Sequence, residues 1–341
     1  MKKVSIAAEI RYEVTIGDNY VSALNEIKSE HQKVLVLIPT KLKRFIQING
    51  SENLFVLFMP DGELQKQLTS LSRVWNELAR HNFGRLDAIV GLGGGATTDL
   101  AGFAAATWLR GISWYAIPTS LAAMVDASIG GKTGINARSG KNLIGAFYSP
   151  RRVIIDLDFL QHLPKRDISA GMAEVIKCGF IKDKKILDLL KKDVLDFEEI
   201  IFRSVRVKAK VVGADFKESK ERELLNYGHT LGHAIESDSK YKLRHGEAVS
   251  VGLVFAAELS HIVRGLDKDV VKEHHEILQS FNLPISYPKS KFQNLLKNMQ
   301  VDKKVKNGRL RFIGLDGVCK PVWLEEVSKA DIAKAYERIA K

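Results

Sequence analysis

The chain has 341 residues, 45% of them hydrophobic and 27% charged, a composition typical of a globular protein with two domains. Its two cysteines, Cys178 and Cys319, form no CxxC pair, which argues against a redox couple or a disulfide framework. The net charge of +12 is compatible with acidic ligands, but the lysines lack the aromatics and motifs of nucleic-acid binders. With no signal peptide and no apolar run long enough to span a bilayer, we expect a cytoplasmic protein that binds neither nucleic acid nor membrane.

Short apolar runs alternate with amphipathic stretches in the first half of the chain. The runs lie at residues 33–38, 54–59, 87–90, 114–117 and 153–155, and residues 67–80 form one of the amphipathic stretches. Alternation of this kind predicts a parallel sheet covered by helices on both faces. We therefore predict an α/β nucleotide-binding-like domain over residues 1–163.

The pattern changes near Leu163-Pro164, and from residue 167 to about 280 the apolar residues follow helical spacing. Residues 309–315 and 318–324, joined by Asp316-Gly317, predict a late hairpin. A last helix is expected over residues 329–340. Residues 164–341 are therefore predicted to form a mostly helical second domain.

A glycine turn, Gly93-Gly94-Gly95, separates the predicted strand at 87–90 from a predicted helix that continues to Trp108. Glycines let a backbone approach a pyrophosphate closely, and a helix N-terminus offers free N–H groups to it. Ala96 stands where GxGxxG would place its last glycine, so a tight turn in a buried βα unit is the alternative.

Residues 126–145 combine five glycines with Lys132, Arg138 and Lys141. Glycine disfavours a regular helix, so we expect a flexible cationic loop. Such a loop suits a substrate with phosphate and carboxylate groups, whereas an exposed, solvated loop is the plainer interpretation.

Histidines and carboxylates gather in the predicted helical domain. His229 and His233 are four residues apart, on one face of a helix, which makes them candidate paired ligands. His245 and Glu174 lie on other predicted helices. Histidines with a carboxylate are the ligands of a catalytic zinc site, although a lone histidine pair is more often structural.

Several of these motifs, in order, resemble those of the 3-dehydroquinate synthases within the sugar-phosphate cyclases. The resemblance runs from about Asp61 to Lys304 and rests on residues 62–66, 93–99, 126–142, 173–177, 226–236 and 244–247. It implies a Rossmann-like parallel-sheet NAD-binding domain followed by a mostly helical metal- and substrate-binding domain. The chain departs from the family pattern at Pro39, His162 and Phe216.

The resemblance also implies roles for individual residues. Zinc or cobalt would be held by Glu174, His229 and His245, with His233 beside the metal and not bound to it. Residues implied to contact NAD are Asp61, Gly62, Glu63, Lys66, Gly93, Gly94, Gly95, Thr98, Asp99, Thr119, Ser120, Lys132, Lys141, Phe159 and His162. Residues implied to act on the substrate are Arg110, Asp126, Lys132, Lys141, Asn142, Lys177, Lys208, Arg222, Asn226, His233 and Lys303.

The activity that the resemblance implies is conversion of 3-deoxy-arabino-heptulosonate 7-phosphate to 3-dehydroquinate and phosphate in the shikimate pathway. It would proceed by transient oxidation with NAD, phosphate elimination, re-reduction, ring opening and intramolecular aldol closure. A homodimer is expected, with Arg110 reaching the phosphate from a neighbouring subunit. The alternatives are another sugar-phosphate cyclase and a metal-dependent alcohol dehydrogenase of the glycerol dehydrogenase type.

Overall fold

The computed structural model describes residues 1–46, 48, 50–303, 310–325 and 327–341, with the backbone alone for 301–303. The chain divides into two compact units. The first comprises Met1–Pro164 and Phe197–Lys217, and the second comprises Lys165–Asp196 and Glu218–Lys341.

The first unit is built on a seven-stranded sheet. Its strands are β1 (Lys2–Ala7), β2 (Arg11–Ile16), β3 (Val34–Pro39), β4 (Leu54–Met59), β5 (Ala88–Gly93), β6 (Ser113–Pro118) and β9 (Arg152–Ile155), and β7 (Lys132–Ala137) and β8 (Gly140–Phe147) form a separate ribbon. The sheet order is β1-β2-β9-β6-β5-β3-β4, and all neighbours are parallel except the pair β1 and β2. Every residue of β3 and β5 is buried, as expected for central parallel strands. The predicted parallel sheet is confirmed.

The helices of the first unit are α1 (Tyr20–Glu30), α2 (Leu68–Arg80), α3 (Gly95–Thr107) and α6 (Phe197–Ala214). Helix α2 covers the amphipathic stretch predicted at 67–80 and buries Leu71, Val74 and Leu78. That burial on one face is what helical spacing of apolar residues predicts.

Helix α6 corrects the predicted domain division at residue 163. The predicted boundary lies within one residue of Pro164, but α6 belongs to the first unit, where it packs on β1 and on the turn Ala123–Ala127. It buries Val205, Val207 and Lys208 there. A helical pattern in the sequence does not show which core the apolar face will join, and this caused the error.

The second unit contains α4 (Lys165–Ile181), α5 (Lys184–Leu190), α7 (His229–Asp238), α8 (His245–Arg264), α9 (Lys268–Ser280), α10 (Phe292–Lys303) and α11 (Lys329–Ile339). Strands β10 (Phe312–Leu315) and β11 (Pro321–Leu324) form the predicted antiparallel hairpin. Its connection is longer than the predicted turn Asp316-Gly317: the Asp316 N–H bonds the carbonyl of Lys320, and Cys319 within the connection has a positive φ of 62°. Arg309 of the predicted first strand lies outside the described residues.

Helix α8 is long and apolar enough to cross a membrane by length and composition, which contradicts our expectation that no segment is. Its most apolar window is 78% buried inside the protein. Residues 246–257 of the helix are all buried, because α4, α7, α9 and α11 pack against it.

The ribbon of β7 and β8 corrects the expected flexible loop at 126–145. Its glycines do exclude a helix, but two of them, Gly134 and Gly145, face each other across an antiparallel pair. A Cβ on Gly145 would lie 2.2 Å from the carbonyl oxygen of Thr133, so this close pairing leaves no room for a side chain. Glycine there permits a tight ribbon.

Candidate active site

Three candidate ligands converge in the second unit, each from a different helix. Glu174 lies in the middle of α4, and His229 and His245 are the first residues of α7 and α8. One ligand atom from each lies within 4.8 Å of the other two. Gly246 makes this possible, because a Cβ there would lie 1.8 Å from the Ala170 carbonyl oxygen. Helix α8 therefore begins in direct backbone contact with α4.

Hydrogen bonds fix the orientation of both imidazoles. The Nδ1 of His229 lies 3.1 Å from the Tyr227 carbonyl oxygen, which can only accept, so Nδ1 carries the proton. The Nδ1 of His245 donates to Glu236 Oε2 over 3.0 Å. The Nε2 atoms then face Glu174 Oε1, at 3.5 Å from His229 and 3.3 Å from His245.

This arrangement requires positive charge at its centre. Glu174 Oε1 is buried and receives no hydrogen bond of acceptable geometry from the described residues. Two imidazole nitrogens and a carboxylate oxygen are thus directed at one another, as in a divalent-metal site where the second nitrogen of each ring is held by an outer partner. The residues therefore fit a bound zinc or cobalt ion.

The charges around Glu174 support the same conclusion. Burial opposes its ionisation, but the charges of Lys177 and His229 hold the pKa of Glu174 well below its ordinary value. Desolvation opposes protonation of His245, yet interactions with the carboxylates of Glu174 and Glu236 outweigh it and raise the pKa of His245 to about 10. Without a metal ion, a proton on His245 supplies positive charge that balances the two carboxylates.

A second group of candidate ligands, His233, Glu236 and His245, shares His245 with the first. The pairing of His229 with His233 that helical spacing favoured is not a ligand pair within either group, and their rings meet edge to face at 5.4 Å. Sequence reasoning missed the role of Glu236. Its signal was present, because residues seven apart on a helix, as His229 and Glu236 are, share a face.

Two other predicted substrate residues of the second unit are also buried. Arg222 is 2% exposed and Lys177 is 2% exposed, the latter paired with Glu174. The Nδ2 of Asn226 donates to Glu218 Oε1 over 3.3 Å. Lys303 ends α10, and its side chain lies outside the described residues.

In the first unit, the glycine turn joins β5 to α3. Gly94 precedes the helix and no side chain among the described residues caps its N-terminus, so the first N–H groups of α3 are available to an anion. The Thr119 N–H bonds the Gly93 carbonyl, and Thr98 Oγ1 bonds that of Gly95. The buried β5 strand and the uncapped helix give the geometry of a dinucleotide-binding turn.

A polar network of predicted NAD-contacting residues lies beside that turn. Lys66 is 3% exposed and its Nζ bonds Asp99 Oδ2 over 2.5 Å and also the side chain of Asn142. Asn136, which was assigned no role from sequence, joins the network, because its Nδ2 bonds Glu63 Oε1 and its Oδ1 accepts from the Asn142 N–H. Burial raises the pKa of Asp99 although Lys66 opposes the shift.

Asp61, Gly62 and Ser120 lie on connections that follow strands of the same sheet. The Asp61 carboxylate accepts from the Lys41 N–H over 2.8 Å, and Gly62 begins a short turn at a φ of 58°. The predicted aromatic neighbours of NAD are engaged with other rings. Phe159 lies 5.1 Å from Tyr20, and His162 stacks on Phe45 at 4.8 Å.

The predicted anion-binding cations of the first unit differ in burial. Lys208, on α6, is buried and its Nζ lies 2.5 Å from Asp126 Oδ1. Lys132 is exposed and Lys141 half-buried, both on the ribbon. Arg110 is exposed, at a φ of 66° between Leu109 at 49° and Gly111 at 125°. Left-handed backbone at consecutive residues other than glycine is costly, and such strain gathers at functional sites.

Comparison with known proteins identifies the family. Residues 56–170 match the family model of the 3-dehydroquinate synthase N-terminal domain, and residues 171–305 match that of the C-terminal domain. The chain belongs to the 3-dehydroquinate synthase family. A 3-dehydroquinate synthase of Mycolicibacterium gilvum is 47% identical over 352 residues, with 99% of this chain and 98% of the relative covered. The family resemblance drawn from the motifs is confirmed.

Solved structures of related cyclases share the fold. A 2-deoxy-scyllo-inosose synthase complexed with carbaglucose-6-phosphate, NAD+ and Co2+ is 25% identical, with a TM-score of 0.85 and coverage of 99% of this chain and 100% of that one. A 2-epi-5-epi-valiolone synthase from Streptomyces hygroscopicus subsp. jinggangensis, with NAD+ and Zn2+ bound, is 22% identical, with a TM-score of 0.87 and coverage of 98% of both chains. The predicted fold class is confirmed.

Proposed function

We propose that the protein is a 3-dehydroquinate synthase, a carbon–oxygen lyase that converts 3-deoxy-arabino-heptulosonate 7-phosphate to 3-dehydroquinate and phosphate in the shikimate pathway. NAD and zinc or cobalt would be its cofactors. The observation that carries the proposal is the convergence of Glu174, His229 and His245 on one point, in a chain 47% identical to a 3-dehydroquinate synthase. Structural relatives that hold NAD with Co2+ or Zn2+ support the cofactors.

Glu174 Oε1 and the Nε2 atoms of His229 and His245 would hold the metal. When bound, the metal would acidify adjacent substrate hydroxyls, and NAD would accept a hydride and return it. Lys177, paired with Glu174, keeps that carboxylate ionised and supplies a buried positive charge beside it. Glu236 keeps the proton of His245 on Nδ1, so that Nε2 remains available as a ligand.

In the first unit, the N–H groups at the start of α3 would bind the NAD pyrophosphate. Lys66 and Asp99 compensate each other in a buried position, and Asn142 is tied to both through Lys66. These bonds hold the side chains in one geometry before any ligand arrives. Such preorganisation contributes to catalysis because ordering is not required at the moment of reaction.

The substrate carries a phosphate and a carboxylate, and the family motifs supply two kinds of cationic side chain to bind them. Arg222 and Arg110 offer planar guanidinium groups suited to bidentate binding, and Lys132, Lys141 and Lys208 offer point charges. Asn226 adds a neutral donor. The protein's contribution to the chemistry is then mainly to position the substrate and to stabilise its charge.

The decisive experiment supplies the heptulosonate phosphate, a substoichiometric amount of NAD, and zinc, and follows inorganic phosphate and NADH in the same reaction. We expect many phosphates released per NAD, no net NADH, loss of turnover on chelation, and 3-dehydroquinate as the product. Because the hydride must return to the substrate, NAD is required only catalytically.

Each alternative function gives a different result in this assay. NADH that accumulates one-for-one with consumed substrate, with phosphate retained on the product, would identify an alcohol dehydrogenase. Phosphate release from a matched sugar phosphate without the carboxylate, and none from the heptulosonate phosphate, would identify another cyclase.

We further propose a cytoplasmic homodimer in which Arg110 acts on the neighbouring subunit's substrate. Its exposed position on strained backbone supports an intermolecular role. Light scattering should give twice the 38.1 kDa chain mass. In mixed dimers, an Arg110→Met chain should lower the activity of a partner whose own Arg110 is intact. Full activity of that partner would exclude the shared site.

A further inference from the structure

A buried histidine that neither the family motifs nor the metal ligands include, His274, contacts two segments of the chain that carry candidate metal ligands. It is on α9 and is 0% exposed. Its ring stacks on Phe180 of α4 at 3.4 Å, with 12° between the planes. Its Nε2 lies 2.9 Å from the hydroxyl of Tyr227, which is also 0% exposed.

The hydrogen bonds of His274 determine which atom carries its proton. Nδ1 lies 2.7 Å from the carbonyl oxygen of Val270, which can only accept, so Nδ1 must donate. Nε2 is then an acceptor, and the Tyr227 hydroxyl donates to it.

Tyr227 in turn supplies the carbonyl that orients His229. The residue lies between a short turn, Glu221–Asn226, and the start of α7, with φ −53° and ψ 121°. The next residue, Gly228, has a φ of 79°, a conformation that glycine adopts readily. The Gly228 backbone packs against α8, where a Cβ on Gly252 would lie 1.9 Å from the Gly228 carbonyl oxygen, and the anchored Tyr227 ring restrains the residue that precedes it.

We propose that His274 is a positioning residue for the metal centre: through the Tyr227 hydroxyl it fixes the Tyr227 carbonyl, and this carbonyl holds the His229 imidazole with Nε2 directed at Glu174. The His274 ring also packs on Phe180 of α4, the helix that carries Glu174. The inference rests on the proposed metal centre for its purpose, but the orientation of His229 can be measured without metal.

The test compares four purified single variants, and one double variant made from two of them, with the wild-type protein. His274→Leu removes the acceptor and leaves the Tyr227 hydroxyl buried and unpaired, whereas His274→Gln places an amide oxygen near the position of Nε2. Tyr227→Phe removes the donor. Leu278→Ala, at another fully buried position of α9, is the matched control for general loosening of that helix.

Zinc affinity, measured by competition with a chelator, is the first readout. Outer partners of metal ligands typically contribute about 10–100-fold in affinity, and we expect His274→Leu to lose roughly 10-fold because it acts through Tyr227. His274→Gln should recover most of the loss, and Leu278→Ala should bind zinc as the wild type does. The double variant of Tyr227→Phe and His274→Leu should lose no more than the worse single variant, since both break one bond.

The second readout is the ring-nitrogen chemical shifts of His229 in the metal-free protein. We expect the Nδ1-protonated form in the wild type and in His274→Gln, and a mixture of tautomers in His274→Leu. Wild-type zinc affinity in His274→Leu, or an equal loss in Leu278→Ala, would overturn the proposal. A wild-type protein that binds no zinc, yet shows these tautomer changes, would overturn the metal centre and retain the orienting role.

Discussion

Replacement of Gly246 by alanine tests whether contact between the backbones of α4 and α8 sets the geometry of the candidate metal centre. A Cβ at this position would meet three backbone atoms of Ala170, the nearest at 1.8 Å, where ordinary contacts begin at 3.4 Å. The start of α8 must therefore move by about 1.6 Å, the difference between these distances. A backbone obstacle cannot rotate away as a side chain could.

His245 directly precedes Gly246, so its ring should move with the helix, away from Glu174 Oε1 at 3.3 Å. A displacement of about 1 Å in a catalytic group can lower the rate about 100-fold, and overpacking typically costs about 1–3 kcal/mol of stability. We expect Gly246→Ala to fold, with zinc affinity and kcat/KM both reduced by at least about 10-fold.

Chelator competition, steady-state kinetics and thermal unfolding check this expectation. The matched control is Gly265→Ala at the other end of α8, where φ is 73° and no atom lies within 4 Å of an added Cβ. That variant should lose stability from backbone strain and keep its zinc affinity. Our reasoning is refuted if Gly246→Ala binds zinc as tightly as the wild type.

Three further predictions concern other parts of the molecule. Glu236→Ala should weaken zinc binding by about 10–100-fold, because His245 loses the acceptor of its Nδ1 proton, and Glu236→Gln should retain part of the affinity. Lys132→Met should lower kcat/KM and leave the metal content unchanged, whereas Arg138→Met, on the same ribbon, should change kcat/KM little. Equal effects of the two variants would mean that the ribbon acts through its overall charge and that Lys132 has no specific role. Burial lowers the pKa of His274 to about 3 from an ordinary 6.5, so below pH 6.5 this histidine binds a proton in the unfolded chain but not in the native state. The free energy of unfolding should therefore decrease as the pH falls from 6.5 to 3, and this group should contribute about 2 kcal/mol of that loss by pH 5. Denaturant unfolding at pH 7 and at pH 5 checks this, because the wild type should lose about 2 kcal/mol more between the two pH values than His274→Gln does.

Strands β3 to β6, strand β9 and helix α2 of the first unit were predictable because each depends on residues near one another in the chain. Buried strands such as Val34–Pro39 have apolar side chains on both faces, and α2 repeats its apolar residues every three or four positions. The family motifs are equally local, and their residues were sufficient to indicate the correct family.

The assignment of α6 could not be made in this way. Its apolar face is compatible with either core, and only the folded chain shows it against β1 and the Ala123–Ala127 turn. The Gly134 to Gly145 ribbon was similarly ambiguous, because glycine permits a loose loop and a close strand pair alike.

The ligand chemistry could be inferred from the sequence, because the chain has only nine histidines and three of them lie within residues 229–245. By itself, helical spacing favoured His229 with His233, because it compares only residues on one helix. Glu174, His229 and His245 come from three helices, and the close contact of Gly246 with Ala170 decides that α4 and α8 begin beside each other. Tertiary packing also decided which residues orient the ligands, namely Glu236 and the Tyr227–His274 pair. A hydrogen bond between residues distant in the chain depends on where the folded backbone places them, so no periodic pattern in the sequence predicts it.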